Sequence, residues 1–480
     1  MELSKDLLSR QEVRDLVEKA DNAGKILAKM SQEQIDAIVK AMAEAGEKAA
    51  EELGKMAVEE TGFGRAEDKK QKNLFATRNV YDAVKDMKTV GILRKDDGKK
   101  VWDIGVPVGV IAAIAPSTNP TSTVFYKAII ALKGGNSVVF SPHPGAKNCT
   151  LKAVSVITEA AKKAGCPDGA IGCITIPTMD AIDELMKHPK VRLILATGGG
   201  AMVRSAYSSG KPAIGVGAGN GPAYLHPSCH LDKAMDCIFT SKTFDNGTIC
   251  ASEQSIIYEE SMEKAVKDAL RKRGGHVLTA EESEKLSKII LRCNGTMNPK
   301  IVGKSAGEIA KMAGLTGDAC HAKILLAEED KVGVGHPYSG EKLCPILALY
   351  KVKCQQQALA LSCAILQHEG SGHTFVIHAE DESVIEKFSL EVPVSRFLVN
   401  TPAAWGGIGL STNLFPALTL GCGAVGGSSS SNNIGPLDLI NIRRVAWDAK
   451  AKPAQTTDDD ALIAAITNKI MEKINSRSER

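Results

Sequence analysis

A cysteine at the end of a short polar turn is the residue best placed for chemistry in this chain. Cys250 closes the segment TFDNGTIC and is followed by ASEQSIIY. The Asn-Gly pair reads as a tight turn and SIIY as the start of a buried strand. A backbone of that shape can present a thiolate, the nucleophilic form of cysteine, to a cleft. The chain has twelve cysteines, and any one of them taken alone is more often an inert buried side chain. Three companions shift the balance. IAPSTNP places Asn119 in an Asn-Pro loop after an apolar strand. VRLILATGGGAMVRSAY reads as strand, Gly-rich turn and helix, in which Gly198, Gly199 and Gly200 let backbone N–H groups approach a pyrophosphate at a helix N-terminus. EKLCP carries the acidic Glu341 three positions before a Cys-Pro pair. Each also has a plain reading: an Asn-Pro turn, a tight connection with no ligand (the glycines do not spell GxGxxG), a solvated Glu-Lys pair. QHEGSGHT holds His368 and His373, imidazoles that titrate near neutrality and are able to take a proton from a thiol, or that serve structure alone.

The elements that would position these groups follow from periodicity. Residues 11 to 60 are rich in Ala, Glu, Lys, Leu and Met, with Ile35, Ile38, Val39 and Met42 on one helical face, which predicts two or three amphipathic helices. GILRKDDGKKVWDIGVPVG reads as a hairpin around its Asp-Gly pair. From about residue 105, apolar strands (GVIAAIAP, NSVVFSP, AIGCITIP, VRLILATGG) alternate with helical runs, one of them ended by Gly165. That alternation means a parallel sheet covered on both faces. A second α/β domain is expected at about 226 to 425, then a Gly/Ser-rich stretch and a β-like return run within 426 to 448. AKAKPAQTTDDD is a polar linker over about 449 to 460, and ALIAAITNKIMEKINSRSER, residues 461 to 480, an amphipathic helix with Leu462, Ile463, Ile466, Ile470, Met471 and Ile474 on its apolar stripe.

In order and spacing, EETGFGRAEDK, IAPSTNP, VVFSPHPGAK, ILATGGGAMV, GVGAGNGPAYL, FDNGTICASEQ, EKLCPIL, EGSGHT and LTLGCGAVGG resemble the aldehyde dehydrogenase superfamily, and most of all its coenzyme A-acylating branch. The resemblance implies an α/β fold with a Rossmann-like NAD-binding domain in residues 1–225, a catalytic α/β domain in 226–425, and a small β arm for oligomerisation from the hairpin 91–105 and the return strand. It implies Cys250 as the nucleophile that adds to an aldehyde and Asn119 as donor to the developing oxyanion. His373 is the proton acceptor, with His368 as alternative. It implies cofactor contacts at Pro116, Ser117, Thr118, Pro142, His143, Thr197, Gly198, Gly199, Gly217, Glu341 and Leu343. SPHP has Pro142 where most thioester-hydrolysing members carry a lysine, so NAD against NADP stays open. No Asp or Glu occurs between Lys211 and Pro227, where those members carry the glutamate that activates water. An acyl-enzyme without that base persists until a thiol arrives, which points to acyl-CoA as product. Acetaldehyde or propionaldehyde leads as substrate, sulfoacetaldehyde or succinate semialdehyde follows, and non-redox acyl transfer to CoA is the alternative chemistry. The tail is similar to peptides that load enzymes into bacterial microcompartments, with self-docking as the alternative.

The 480 residues exceed one ordinary core. A net charge of +3 with aromatic content of 4% gives no nucleic-acid surface. No apolar run is long enough for a membrane span, and MELSKDLLSR has no secretory core. The cysteines show no CxxC pair, so neither a metal site nor a disulfide framework is expected, and a reducing cytoplasm or microcompartment lumen is the expected setting. A homo-oligomer, dimer or tetramer, is expected.

Overall fold

The computed structural model describes residues 4–448 and 462–471. It divides into a large unit, Met1–Val90 with Val106–Asn441, and a small one, Gly91–Gly105 with the chain from Ile442 onward.

The large unit opens with three helices, Lys5–Leu27, Gln32–Lys48 and Ala50–Thr61. The second shows why these residues become a helix. Ser31 accepts from the Gln34 backbone while the Gln34 side chain accepts from the Ser31 N–H, so two orphan donors are satisfied reciprocally. Ile35, Ile38, Val39 and Met42 are all buried, as their spacing predicts.

Fifteen strands follow among the described residues. β1 (Gly91–Asp96) and β2 (Val101–Pro107) form the hairpin. β3 (Val110–Ile114), β4 (Ser137–Ser141), β5 (Ile171–Cys173), β6 (Val191–Thr197) and β7 (Ala213–Val216) form a parallel sheet in the order β5-β4-β3-β6-β7. β8 (Gly221–Leu225), β9 (Glu253–Glu259), β10 (Gly275–Val277), β11 (Ile324–Glu328), β12 (Ile346–Val352), β13 (Gly372–His378) and β14 (Val394–Val399) form a second parallel sheet, ordered β10-β11-β12-β9-β8-β13-β14. β15 (Ile440–Ala446) is the return strand. Every residue of β3, β4 and β8 is buried. This is why they read as unbroken apolar runs rather than alternating ones. The chain leaves the first sheet after β7, so β8 pairs with β9 and β13 in the second, although it precedes residue 226.

The first sheet reverses direction at β3, with β4 on one side and β6 on the other. Crevices at such switch points hold ligands in open α/β sheets. Lys127, on the helix Pro120–Lys133, clamps this point: its buried ammonium donates to Ile114 O on β3 (2.8 Å) and Leu195 O on β6 (2.9 Å). Burial pulls its pKa down to about 7.

In the small unit, β1, β2 and β15 form a three-stranded sheet. The hairpin is not closed at Asp97-Gly98. The register pairs Asp96 with Val101, leaving a four-residue connection in which Lys100 takes the positive φ of 51°. Asp96 Oδ1 accepts from Lys99 N at 2.9 Å, a local bond that competes with the two-residue turn. Trp102 and Trp447 meet edge to face with centroids 4.9 Å apart. Residues 462–471 are helical, with Leu462, Ile463, Ile466, Ile470 and Met471 exposed. Ile474 lies outside the described residues.

Candidate active site

The loops after β3, β6 and β7 and those before β8, β9 and β12 line one cavity of about 1150 Å³ within the large unit. Pro116, Ser117, Thr118, Asn119, His143, Thr197, Gly198, Gly199, Gly217, Cys250, Glu341 and Leu343, all singled out on sequence, lie on its wall. Two other residues singled out on sequence do not. Pro142 is buried behind the wall. His373 is a correction: it lies on β13 with no exposed surface, its Nδ1 pairs with Thr374 Oγ1 at 2.9 Å, and it does not line the cavity. Burial, then the nearby Arg396, hold its pKa down to about 3, so it stays neutral. Of the two motif histidines, the one on the wall is His368, exposed at the end of the helix Gln355–His368.

Cys250 is set by backbone shape. Asp245, Asn246 and Gly247 carry φ of 50°, 51° and 75° in succession, a left-handed run that costs free energy at the two non-glycine positions. It is held by side-chain bonds: Asn246 Nδ2 donates to Gly303 O at 2.8 Å and the Asp245 N–H to Asp68 Oδ2 at 2.9 Å. Beyond the run, Gly219 passes so near that a Cβ there would sit 1.8 Å from the Cys250 carbonyl oxygen; only glycine fits. In this wall the thiol is neutral. Desolvation first, then the carboxyl of Glu341, push it up to about 12.

Glu341 is itself pushed up to about 8, by burial and then by Glu369. Its Oε1 accepts from Gly219 N at 2.8 Å, and its own N–H donates to Glu369 Oε2 at 2.6 Å. This ties the EKLCP loop to the glycine segment beside Cys250.

Asn119 directly precedes the helix Pro120–Lys133, with Pro at the first helical position. Asparagine is a favoured cap there, yet its side chain makes no capping bond. It turns outward: Nδ2 donates to Thr248 O at 3.1 Å, and Oδ1 accepts from Lys72 Nζ at 2.6 Å.

Lys72 was invisible to pattern reading. With Lys69 it sits on the helix Ala66–Leu74, and both lysines are 2% exposed. Both ammonium groups bond Asp245 Oδ2, Lys69 at 2.5 Å. Burial alone would raise the Asp245 carboxyl; Lys72 and Lys69 outweigh it and hold the group below its ordinary value. Removing one partner of such a buried pair costs about 3–5 kcal/mol.

The glycine turn fits a nucleotide. The helix Gly200–Tyr207 has Gly199 as its cap and no side-chain capping bond, so its first N–H groups are free for a ligand. A Cβ at Gly199 or Gly217 would meet nothing within 4 Å. Thr197 Oγ1 is buried with no hydrogen-bond partner, and a buried hydroxyl left unpaired calls for one. Across the turn, His143 Nδ1 accepts from Gly145 N at 3.0 Å, and burial lowers its pKa. No group of three or more His, Cys, Asp or Glu among the described residues is placed to hold a metal ion, and no helix among them is long and apolar enough to cross a membrane.

A cysteine-bearing turn and a glycine turn on the wall of one cavity have counterparts among known proteins. Residues 5–285 match the Aldehyde dehydrogenase family. The bifunctional aldehyde-alcohol dehydrogenase AdhE of Escherichia coli (strain K12) is 43% identical over 444 residues, which is 92% of this chain and 50% of that protein; the chain thus spans about half the length of the first curated relatives it matches. The solved structure of a probable aldehyde dehydrogenase from Listeria monocytogenes EGD-e superposes with a TM-score of 0.92 at 59% identity, over 94% of this chain and 99% of that one. That of an acetylating aldehyde dehydrogenase from Geobacillus thermoglucosidasius gives 0.91 at 51% identity, over 94% and 100%. With Cys250, Asn119 and the glycine turn converging as they do, and a match over more than half its length, the chain belongs to the aldehyde dehydrogenase family.

Proposed function

We propose that the protein oxidises a small aldehyde to its coenzyme A thioester: aldehyde, CoA and NAD give acyl-CoA, NADH and a proton. The observation that carries this is the make-up of one cavity wall, which joins Cys250, Asn119 and the Thr197–Gly199 turn while no carboxylate occurs from Lys211 to Pro227. Cys250 gives its proton toward His368, which passes it to solvent, and the thiolate adds to the aldehyde carbon, giving a thiohemiacetal whose oxygen takes hydrogen bonds from Asn119 Nδ2 and the Cys250 N–H. Thr197, Gly198, Gly199 and Gly217 would hold the dinucleotide pyrophosphate and its neighbours, Pro116, Ser117, Thr118, His143, Glu341 and Leu343 the rest. When bound, the nicotinamide accepts the hydride from the thiohemiacetal carbon. The thioester left on Cys250 has no carboxylate from the 211–227 segment to activate water: Val216 lines the cavity at the end of β7, and Glu341 spends its Oε1 on the Gly219 N–H. The CoA thiol, losing its proton toward His368, attacks the acyl carbon and Cys250 leaves.

The name of the Geobacillus relative supports this product, and the two parallel sheets support a nucleotide domain ahead of β8 and a catalytic domain after it. Acetaldehyde or propionaldehyde is the substrate proposed, with NAD as cofactor, in a cytoplasmic homo-oligomer that uses the three-stranded arm. The exposed apolar stripe of residues 462–471 supports capture by a microcompartment shell or cargo partner. A panel of aldehydes with NAD or NADP, run with and without CoA, tests the core of the proposal. Reduced nicotinamide and acyl-CoA should form together, and omission of CoA should stall turnover after one acyl group per site. Steady release of free acid without CoA, at the rate seen with it, refutes the product assignment.

A further inference from the structure

We infer that Lys72 is the positioning residue of the oxyanion site, acting through Asn119; the inference rests on Asn119 being the oxyanion donor. The two ends of a carboxamide are nearly the same shape, and one donates while the other only accepts. Turned the wrong way, Asn119 would aim a carbonyl oxygen at the developing alkoxide and oppose the reaction. Hydrogen bonds alone choose the orientation, and here they choose it twice. Lys72 Nζ donates to Oδ1 at 2.6 Å, which only oxygen can accept. Thr248 O accepts from Nδ2 at 3.1 Å, which only the amino end can supply. One Nδ2 hydrogen is thereby used, and the second makes only a long 3.4 Å bond to the neighbouring Thr118 Oγ1, which a ligand oxygen would displace in the cavity that Asn119, Lys72, Thr248 and Cys250 all line. Pulling on Oδ1 also draws electron density from the amide nitrogen and makes its hydrogens better donors.

The lock is itself built rather than incidental. Lys72 is 2% exposed and spends its three hydrogens among Asp245 Oδ2, Asn119 Oδ1 and Thr248, whose Oγ1 is 3.1 Å away and whose carbonyl is 3.3 Å away. Asp245 is also held by Lys69 Nζ, 2.5 Å from Oδ2, and by Arg65 N, 2.9 Å from Oδ1. Its Oδ2 also accepts from Thr248 Oγ1 at 2.6 Å. Gly64 has no side chain, and a Cβ there would lie 1.9 Å from Asp245 Oδ1. Lys69 Nζ meanwhile holds Thr118 O at 2.5 Å, one residue before Asn119. Lys69 and Arg65 thus hold Asp245, and with it the strained turn that ends in Cys250, without Lys72, whose own part is the Asn119 side chain.

The test is a double-mutant cycle on the full chain. Asn119→Ala should lose about 10²–10³ in turnover, the usual effect of deleting an oxyanion donor. Lys72→Met should lose at least about tenfold in kcat with KM for NAD and CoA unchanged, because it acts on the transition state alone. Alkylation of Cys250 and the melting temperature serve as controls for the thiol and the fold. The double variant should be no slower than Asn119→Ala alone, since Lys72 has nothing left to orient. Lys72→Gln, which keeps a neutral donor, should retain more activity than Lys72→Met, and it carries the same cycle should the methionine variant not fold. If Asn119→Ala is slow but the Lys72 variants turn over at the wild-type rate, the inference falls and the Asn119 assignment stands. Multiplying losses in the double variant also overturn it. Full activity in Asn119→Ala sinks the underlying assignment instead.

Discussion

Glu341→Gln should make Cys250 more reactive, and only at alkaline pH. The thiol is pushed up to about 12 and the Glu341 carboxyl up to about 8. At pH 9 the thiol is three pH units below its pKa, so the thiolate fraction is about 10⁻³, against about 0.8 for an ordinary cysteine near 8.5. A more basic thiolate is a better nucleophile, by roughly 1.5 orders of magnitude over that gap. Cys250 in enzyme without nucleotide should therefore alkylate about 25-fold more slowly than a free thiol. Glu341 contributes to the elevation through its negative charge, which exists only above its own pKa. Below about pH 7 the carboxyl is neutral and the substitution should change nothing. Above pH 9 it removes a charge that opposes the thiolate; each unit by which the thiol falls gives tenfold more thiolate, or about threefold in rate after the loss of basicity. The assay is timed iodoacetamide labelling between pH 6.5 and 10, read by mass spectrometry on the peptide containing Cys250 so that the other cysteines do not contribute. The ratio of variant to wild-type rate should rise from one through pH 8 to a plateau. A ratio that is flat with pH, or a slower variant, refutes the electrostatic coupling.

Cys250→Ala should abolish reduction of nicotinamide while nucleotide affinity, measured by fluorescence quenching, stays nearly unchanged, because the covalent intermediate is lost and the glycine turn is not. Deletion of residues 450–480 should leave turnover in solution nearly unchanged, since every residue assigned to the site lies upstream. The same segment fused to a fluorescent protein should be recruited to a microcompartment, and the fusion carrying Ile466→Asp and Ile470→Asp should not, as two charges break the apolar stripe. Loss of activity or of the oligomer on deletion would instead make the helix part of the enzyme.

Much of the scaffold was legible because parallel strands buried on both faces are written as short apolar runs between helices, and β3 and β4 are of that kind. Turn chemistry marked Cys250 and the glycine turn. What failed depends on where an element goes rather than what it is. β8 reads as one more apolar strand, and nothing local says that it crosses to the second sheet to pair with β9 and β13. Likewise His368 and His373 are five residues apart in one motif, but the first ends a helix at the cavity and the second is sealed inside β13. Imidazole chemistry is the same in both; the backbone alone decides which one a substrate could meet.

Lys69 and Lys72 show the limit most sharply. In sequence they are two of several lysines on a polar helix, and lysines there are ordinarily solvated. Their burial makes sense only beside Asp245, which lies 176 and 173 positions away. A lone buried ammonium would lose its charge, and a lone buried carboxylate would take up a proton. Together the lysines hold the Asp245 carboxyl below its ordinary value despite its burial, and there the direction of one amide can be fixed. The DNGTIC turn and the EDKKQKN helix are therefore a single device. Its two halves become legible as one only when the fold brings the acid of the first between the lysines of the second, and the cysteine turn then inherits its position from a helix that contains no catalytic residue at all.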